Sequence, residues 1–116
     1  MQVQIHTDNH IKFGDELGTF VENEVRGSLD RFGEQITRVE VHLHDENGHK
    51  SGPQDKRCVM EARVAGHQPV AVHHDAATLD AAVSGAADKL EKSLDHLFDK
   101  LGHHKGRVPF GGEPEI

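Results

Sequence analysis

Lys89, Lys92, His96, Lys100 and His103 recur along one flank of a helix-like segment, and His104, Lys105 and Arg107 extend the run. Cations spaced this way can follow a phosphate backbone: each Lys or Arg neutralises one phosphate, and each His adds donors once protonated. Asp88, Glu91, Asp95 and Asp99 gather nearer the other flank of the same segment, so its charges are sorted by sign. A helix that needs only solubility more often intersperses its signs as i,i+4 pairs. Two readings stand side by side: a solvated flank with i,i+4 partners, and a ridge that contacts nucleic acid. In the second, the carboxylates must face away, because they repel phosphate.

Other chemistry is weaker. There are eleven histidines. His42 and His44 share one strand face, whereas the adjacent pair His73 and His74 points apart. A zinc site needs three or four convergent N, S or O ligands with supporting bonds behind them. No HExxH motif or Cys/His cluster is present, so the expectation is no metal and no cofactor. His6 has outward strand parity and joins His42 if their strands are neighbours. Cys58 has inward parity beside Met60 and Val64, which makes it a small buried hydrophobe rather than a nucleophile. No Ser/His/Asp order, phosphate loop or dinucleotide fingerprint is visible, and Gly48 to Gly52 (GHKSG) is turn chemistry alone. The expectation is a protein that is not an enzyme and takes no small-molecule substrate.

The elements that must position these groups follow from periodicity. Val3 and Ile5 alternate with polar residues, which predicts a strand over Gln2 to Thr7. Leu17, Phe20, Val21, Val25, Leu29 and Phe32 recur at helical spacing, predicting a helix from Gly14 to Arg31 that stops at Gly33. Strands follow at Ile36 to His44, Lys56 to Ala65 and Val70 to His74. Asp45 to Asp55 reads as a mobile hairpin loop, and Gly66 to Pro69 as a tight connection. Thr78 is the expected N-cap of a last helix reaching Lys105. Its apolar face collects Leu79, Val83, Leu90, Leu94, Leu97, Phe98 and Leu101. The order is β-α-β-β-β-α: an α+β fold with a four-stranded sheet and both helices on one face. The first helix is long enough to be a crossover, so the first two strands can lie parallel, and short loops make the remaining pairs antiparallel. Residues 1–105 form one domain, and 106–116 a flexible Gly/Pro-rich tail.

Composition bounds the rest. With 116 residues, 34% hydrophobic and no Trp or Tyr, the chain supports one thin core. The longest apolar runs are far short of a membrane span, and no signal peptide is apparent, which predicts a cytoplasmic protein with no membrane partner. A lone cysteine excludes an intrachain disulfide. The net charge of −7 argues against a generic polyanion binder, yet protonating all eleven histidines would bring it to +4. Because three of the eight ridge positions are histidine, binding through the ridge is expected to tighten on mild acidification.

Leu17 to Leu43 (LGTFVENEVRGSLDRFGEQITRVEVHL) and Ala65 to Leu97 (AGHQPVAVHHDAATLDAAVSGAADKLEKSLDHL) resemble the ribosome hibernation promoting factor and ribosome-associated inhibitor family, also called sigma-factor modulation protein. The likeness runs from about Gln2 to Arg107 and is strongest in the first strand, the ITRVEV entry to the second, the Gly66 turn and the AADKLEK centre of the last helix. It implies a fold related to double-stranded RNA-binding domains. It also implies a bacterial factor that binds the small ribosomal subunit and its rRNA near the decoding region, silencing idle ribosomes in slow growth or stress. The site residues are then Lys89, Lys92, His96, Lys100, His103, Lys105 and Arg107, with Arg26 and Arg31 as secondary contacts. The chain resembles the short forms, which lack a C-terminal dimerisation domain. It departs from the family in its acidity, in Glu24 and Gly27 near positions of usual lysines, and in Asp80 where an aromatic is usual. A different reading is a diverged protein-binding module that uses an exposed Arg/His sheet face, and a further one is a His-based metal binder.

Overall fold

Alternating apolar residues set the first strand, β1 (Gln2–Thr7), and helix α1 (Asp15–Leu29) follows, running into a 3-10 segment, Asp30–Gln35. Strands β2 (Ile36–Asp45), β3 (Lys56–Val64) and β4 (Val70–Ala76) lead to helix α2 (Leu79–Lys100). The computed structural model describes residues 1–8, 11–12, 14–45 and 55–100. The loop expected within Asp45 to Asp55 falls largely outside these residues, as do the end of the last helix and the tail.

The sheet order is β1-β2-β3-β4. β1 lies parallel to β2, as a helical crossover requires, and the other two pairs are antiparallel. Side chains alternate across the sheet. Val39, Val41 and Leu43 of β2, with Cys58, Met60, Ala62 and Val64 of β3, point to one side and are buried. Val21, Val25 and Leu29 of α1 and Val83, Leu90, Leu94 and Phe98 of α2 close over them in a single cluster, so both helices cover the same face. Full burial of a side chain such as Leu90 or Leu94 contributes roughly 1.5–3 kcal/mol. The uncovered face carries Arg38, Glu40, His42, His44, Arg57, Glu61, Arg63 and His73.

Element boundaries differ from the periodicity reading where tertiary contacts take over. α1 stops at Leu29, its last buried position, rather than Arg31. The tighter 3-10 winding then brings Phe32 to 5.3 Å from Phe98, and Gly33 turns the chain into β2 at φ 64°, a conformation that favours glycine. β4 runs to Ala76 rather than His74 because its ladder with β3 continues through Arg57 opposite Asp75 and Lys56 opposite Ala76. The Arg57 guanidinium donates to both Asp75 carboxylate oxygens, at 2.8 and 3.2 Å, and this pairing holds the Asp75 carboxyl below its ordinary range. Thr78 caps α2 as expected, its Oγ1 accepting the Ala81 amide at 3.1 Å.

Candidate nucleic-acid interface

The sorted charges of α2 acquire a structural reason. Two residues of its acidic flank, Glu91 and Asp95, face the 3-10 segment. Arg31 Nε donates to Glu91 Oε2 at 3.2 Å, and Arg31 Nη2 pairs with Asp95 Oδ2 at 3.2 Å. The Ser84 hydroxyl on the same side donates to Glu24 Oε1 at 2.8 Å. Burial alone would lower the Arg31 guanidinium, but the hydrogen bonds to Glu91 and Asp95 outweigh it and hold the group above its ordinary value. Its Cζ also lies 4.3 Å from the centroid of the Phe32 ring.

Lys89, on the basic flank, lies instead against β4. Lys89 Nζ donates to the His73 carbonyl oxygen at 3.0 Å, covering an acceptor on a strand whose one strand partner among the described residues is β3. An ammonium carries three donors, so this bond leaves two for another acceptor. Below it, the His74 ring packs directly on Gly85, where a Cβ would overlap three ring atoms. Lys92 is paired with Asp88 one turn back at 3.1 Å, but its side chain is 77% exposed, so the pair is weak and leaves the ammonium available. His96 and Lys100 are exposed on the same flank.

The structure therefore brings Lys89, Lys92, His96 and Lys100 together and separates the other expected contacts from them. Arg26 donates to Glu22 Oε2 at 3.0 Å and to the Met1 carbonyl at 3.2 Å, at the β1 edge of the sheet. Arg31 lies against the acidic flank, its charge offset by two carboxylates. His103, Lys105 and Arg107 lie outside the described residues.

On the uncovered sheet face β1 and β2 are neighbours, so His6 meets His42 as parity allowed, while the polar network around Glu40 was not read from the pattern. Glu40 is its hub: Oε2 pairs with Arg38 Nη2 at 2.9 Å and lies 4.0 Å from Arg63 Nη2, while Oε1 faces His42 and His6. Strand parity marks these residues as outward, but the contacts depend on the register between strands. At the far end of β2 and β3, Lys56 lies 2.9 Å from Asp55 and 3.6 Å from the carboxylate of Asp45, both buried. The hydrogen bond to Asp55 raises the Lys56 ammonium above its ordinary value. Cys58 is buried, and desolvation pushes its thiol up to about 12, which fits a packing role.

The sequence model of the sigma 54 modulation protein / S30EA ribosomal protein family matches residues 3–102. Among solved structures, the Thermus thermophilus Protein Y N-terminal domain is similar with a TM-score of 0.67 at 23% identity, covering 84% of this chain and 99% of that one. A ribosomal subunit interface protein from Coxiella burnetii is similar with a TM-score of 0.70 at 13% identity, covering 84% of this chain and 97% of that one. At such identities these likenesses establish a shared fold. No curated protein matches the chain in sequence. Among the described residues, no helix is long and apolar enough to cross a membrane.

Proposed function

Because the chain belongs to the sigma 54 modulation protein / S30EA ribosomal protein family, we propose that it is a non-enzymatic cytoplasmic factor that binds the small ribosomal subunit. It lies against rRNA near the decoding region and keeps idle ribosomes inactive by occupying the site. The observation that carries this reading is the division of α2. Glu91 and Asp95 turn toward Arg31 of the 3-10 segment, while Lys89, Lys92, His96 and Lys100 lie exposed along another flank, Lys89 against β4 and Lys92 beside Asp88. A phosphate backbone laid along that flank meets cations first. No bond is made or broken; occupancy and phosphate neutralisation suffice.

Four phosphate contacts predict roughly a hundredfold loss of affinity between about 50 and 200 mM salt. Because the uncovered sheet face is itself charged, charge reversal on α2 is what distinguishes this from docking on a protein through that face. The decisive experiment is co-sedimentation with purified small subunits, comparing wild type with Lys92→Glu/Lys100→Glu. Wild type should pellet at low salt and the variant should stay in solution. Wild type remaining in the supernatant near both pH 6 and pH 7.5 would overturn the ribosome reading. Equal pelleting of the two proteins would remove the α2 flank from it.

A further inference from the structure

The parallel ladder sets His6 of β1 opposite His42 of β2, and Glu40 lies two residues before His42 on the same uncovered face. The two imidazoles stack with centroids 4.7 Å apart and planes 15° from parallel. Both present Nε2 to Glu40 Oε1, at 4.0 Å from His6 and 3.6 Å from His42. The other carboxylate oxygen is held by Arg38 at 2.9 Å, which fixes the direction in which Oε1 points.

We propose that His6, Glu40 and His42 form a binding site for a borderline divalent transition ion, with zinc as its representative. Two imidazole nitrogens and one carboxylate oxygen are a donor set that suits such ions. One candidate donor atom from each residue lies within 4.8 Å of the other two. The centre of an equilateral triangle of that side is about 2.8 Å from each corner, against roughly 2.0–2.2 Å for zinc bonds. Contraction by less than about 1 Å per side chain, together with a turn of the two stacked rings that aims each in-plane Nε2 lone pair at the ion, would close the site. Half-exposed imidazoles, with 51% of the His6 side chain and 39% of the His42 side chain accessible, have room for that adjustment and leave an entry path from solvent. Arg38 acts as the supporting partner behind the carboxylate, the position that orients a metal ligand. Arg38 and Arg63 also place positive charge nearby, so the affinity is modest. The fourth coordination position stays open to water or to a donor from a partner. The site is on the sheet face away from the helices and does not depend on the ribosome reading.

Calorimetric titration of the full chain with zinc at about pH 7.5 tests the assignment. The pair His6→Ala/His42→Ala is compared with His67→Ala/His96→Ala, which removes as many exposed imidazoles elsewhere. Wild type and the second variant should bind one more equivalent of zinc than the first. Equal stoichiometry and affinity in all three would overturn the site and assign the uptake to scattered histidines. Glu40→Gln, which leaves both imidazoles in place, should weaken the same equivalent at least about tenfold; unchanged affinity would overturn the three-ligand site. Far-ultraviolet circular dichroism confirms that each variant is folded. Cobalt titration should give visible d–d absorption in wild type and lose it in His6→Ala/His42→Ala, and persistence there would also overturn the assignment.

Discussion

Gly85 is where α2 lies directly on β4, and this contact holds the basic flank in register with the sheet edge. In an exposed helix, Gly→Ala stabilises by about 1 kcal/mol, because glycine has more backbone entropy to lose. Here the new methyl group would meet the His74 ring at Cγ, Cδ2 and Nε2, so the whole ring must move rather than its tip. Overpacking of this kind costs typically about 1–3 kcal/mol. Gly85→Ala alone should therefore be neutral to about 2 kcal/mol destabilising. In a His74→Ala background the obstacle is gone, and the same substitution should stabilise by about 1 kcal/mol. The double-mutant cycle isolates a coupling of roughly 1–3 kcal/mol whatever His74→Ala costs by itself. Urea unfolding of the four proteins, followed by circular dichroism, measures it. If Gly85→Ala stabilises equally in both backgrounds, the His74–Gly85 contact does not set the height of α2 above β4.

Three further outcomes follow from the polar contacts and the core. Arg31→Ala removes two partly exposed ion pairs and should cost about 0.5–2 kcal/mol, discounted for solvent screening and read from the shift of the urea midpoint; a stabilised variant would show that the acidic flank needs no partner. Cys58 should resist thiol reagents in the native state and react only at the rate of unfolding, and because the folded protein keeps its thiol proton up to about 12, stability should fall as pH rises above the ordinary thiol range toward that value. Asp75 behaves in the opposite sense: its carboxyl is depressed by Arg57, so its contribution is present at neutral pH and lost as pH falls through the folded value, and Arg57→Ala should flatten the acid limb of the stability curve.

Much of the fold was legible because strand and helix periods are local. Val39, Val41 and Leu43, and then Cys58, Met60, Ala62 and Val64, declared their inward faces by alternation, and the buried face of α2 followed from its spacing. What escaped was non-local. The end of α1 depends on Phe32 reaching Phe98, and the extra residues of β4 depend on Arg57 finding Asp75. The Glu40 hub needed the register of three strands, since Arg38 and His42 meet it from its own strand, Arg63 from β3 and His6 from β1. The basic ridge was visible as a pattern, but its division from Arg26 and Arg31 was not, because their partners, the Met1 carbonyl and the carboxylates of Glu91 and Asp95, lie far away in sequence.

The net charge of −7 looks like an objection to an rRNA-binding role, and the arrangement of α2 weakens it. Screening at physiological ionic strength confines exposed charges to a range of about 8 Å. An α-helix with its side chains is about 10–12 Å across. A phosphate on the basic flank is thus roughly one screening length from Glu91 and Asp95, which are already paired with Arg31, and the nearer Asp88 is paired with Lys92. The field a bound backbone meets is local and set by Lys89, Lys92 and Lys100 rather than by the sum over the chain. Global charge acts instead on approach from a distance, where repulsion grows as salt is removed. An acidic chain can therefore keep a phosphate-binding flank, provided the fold gives its acidic side a neighbour of its own.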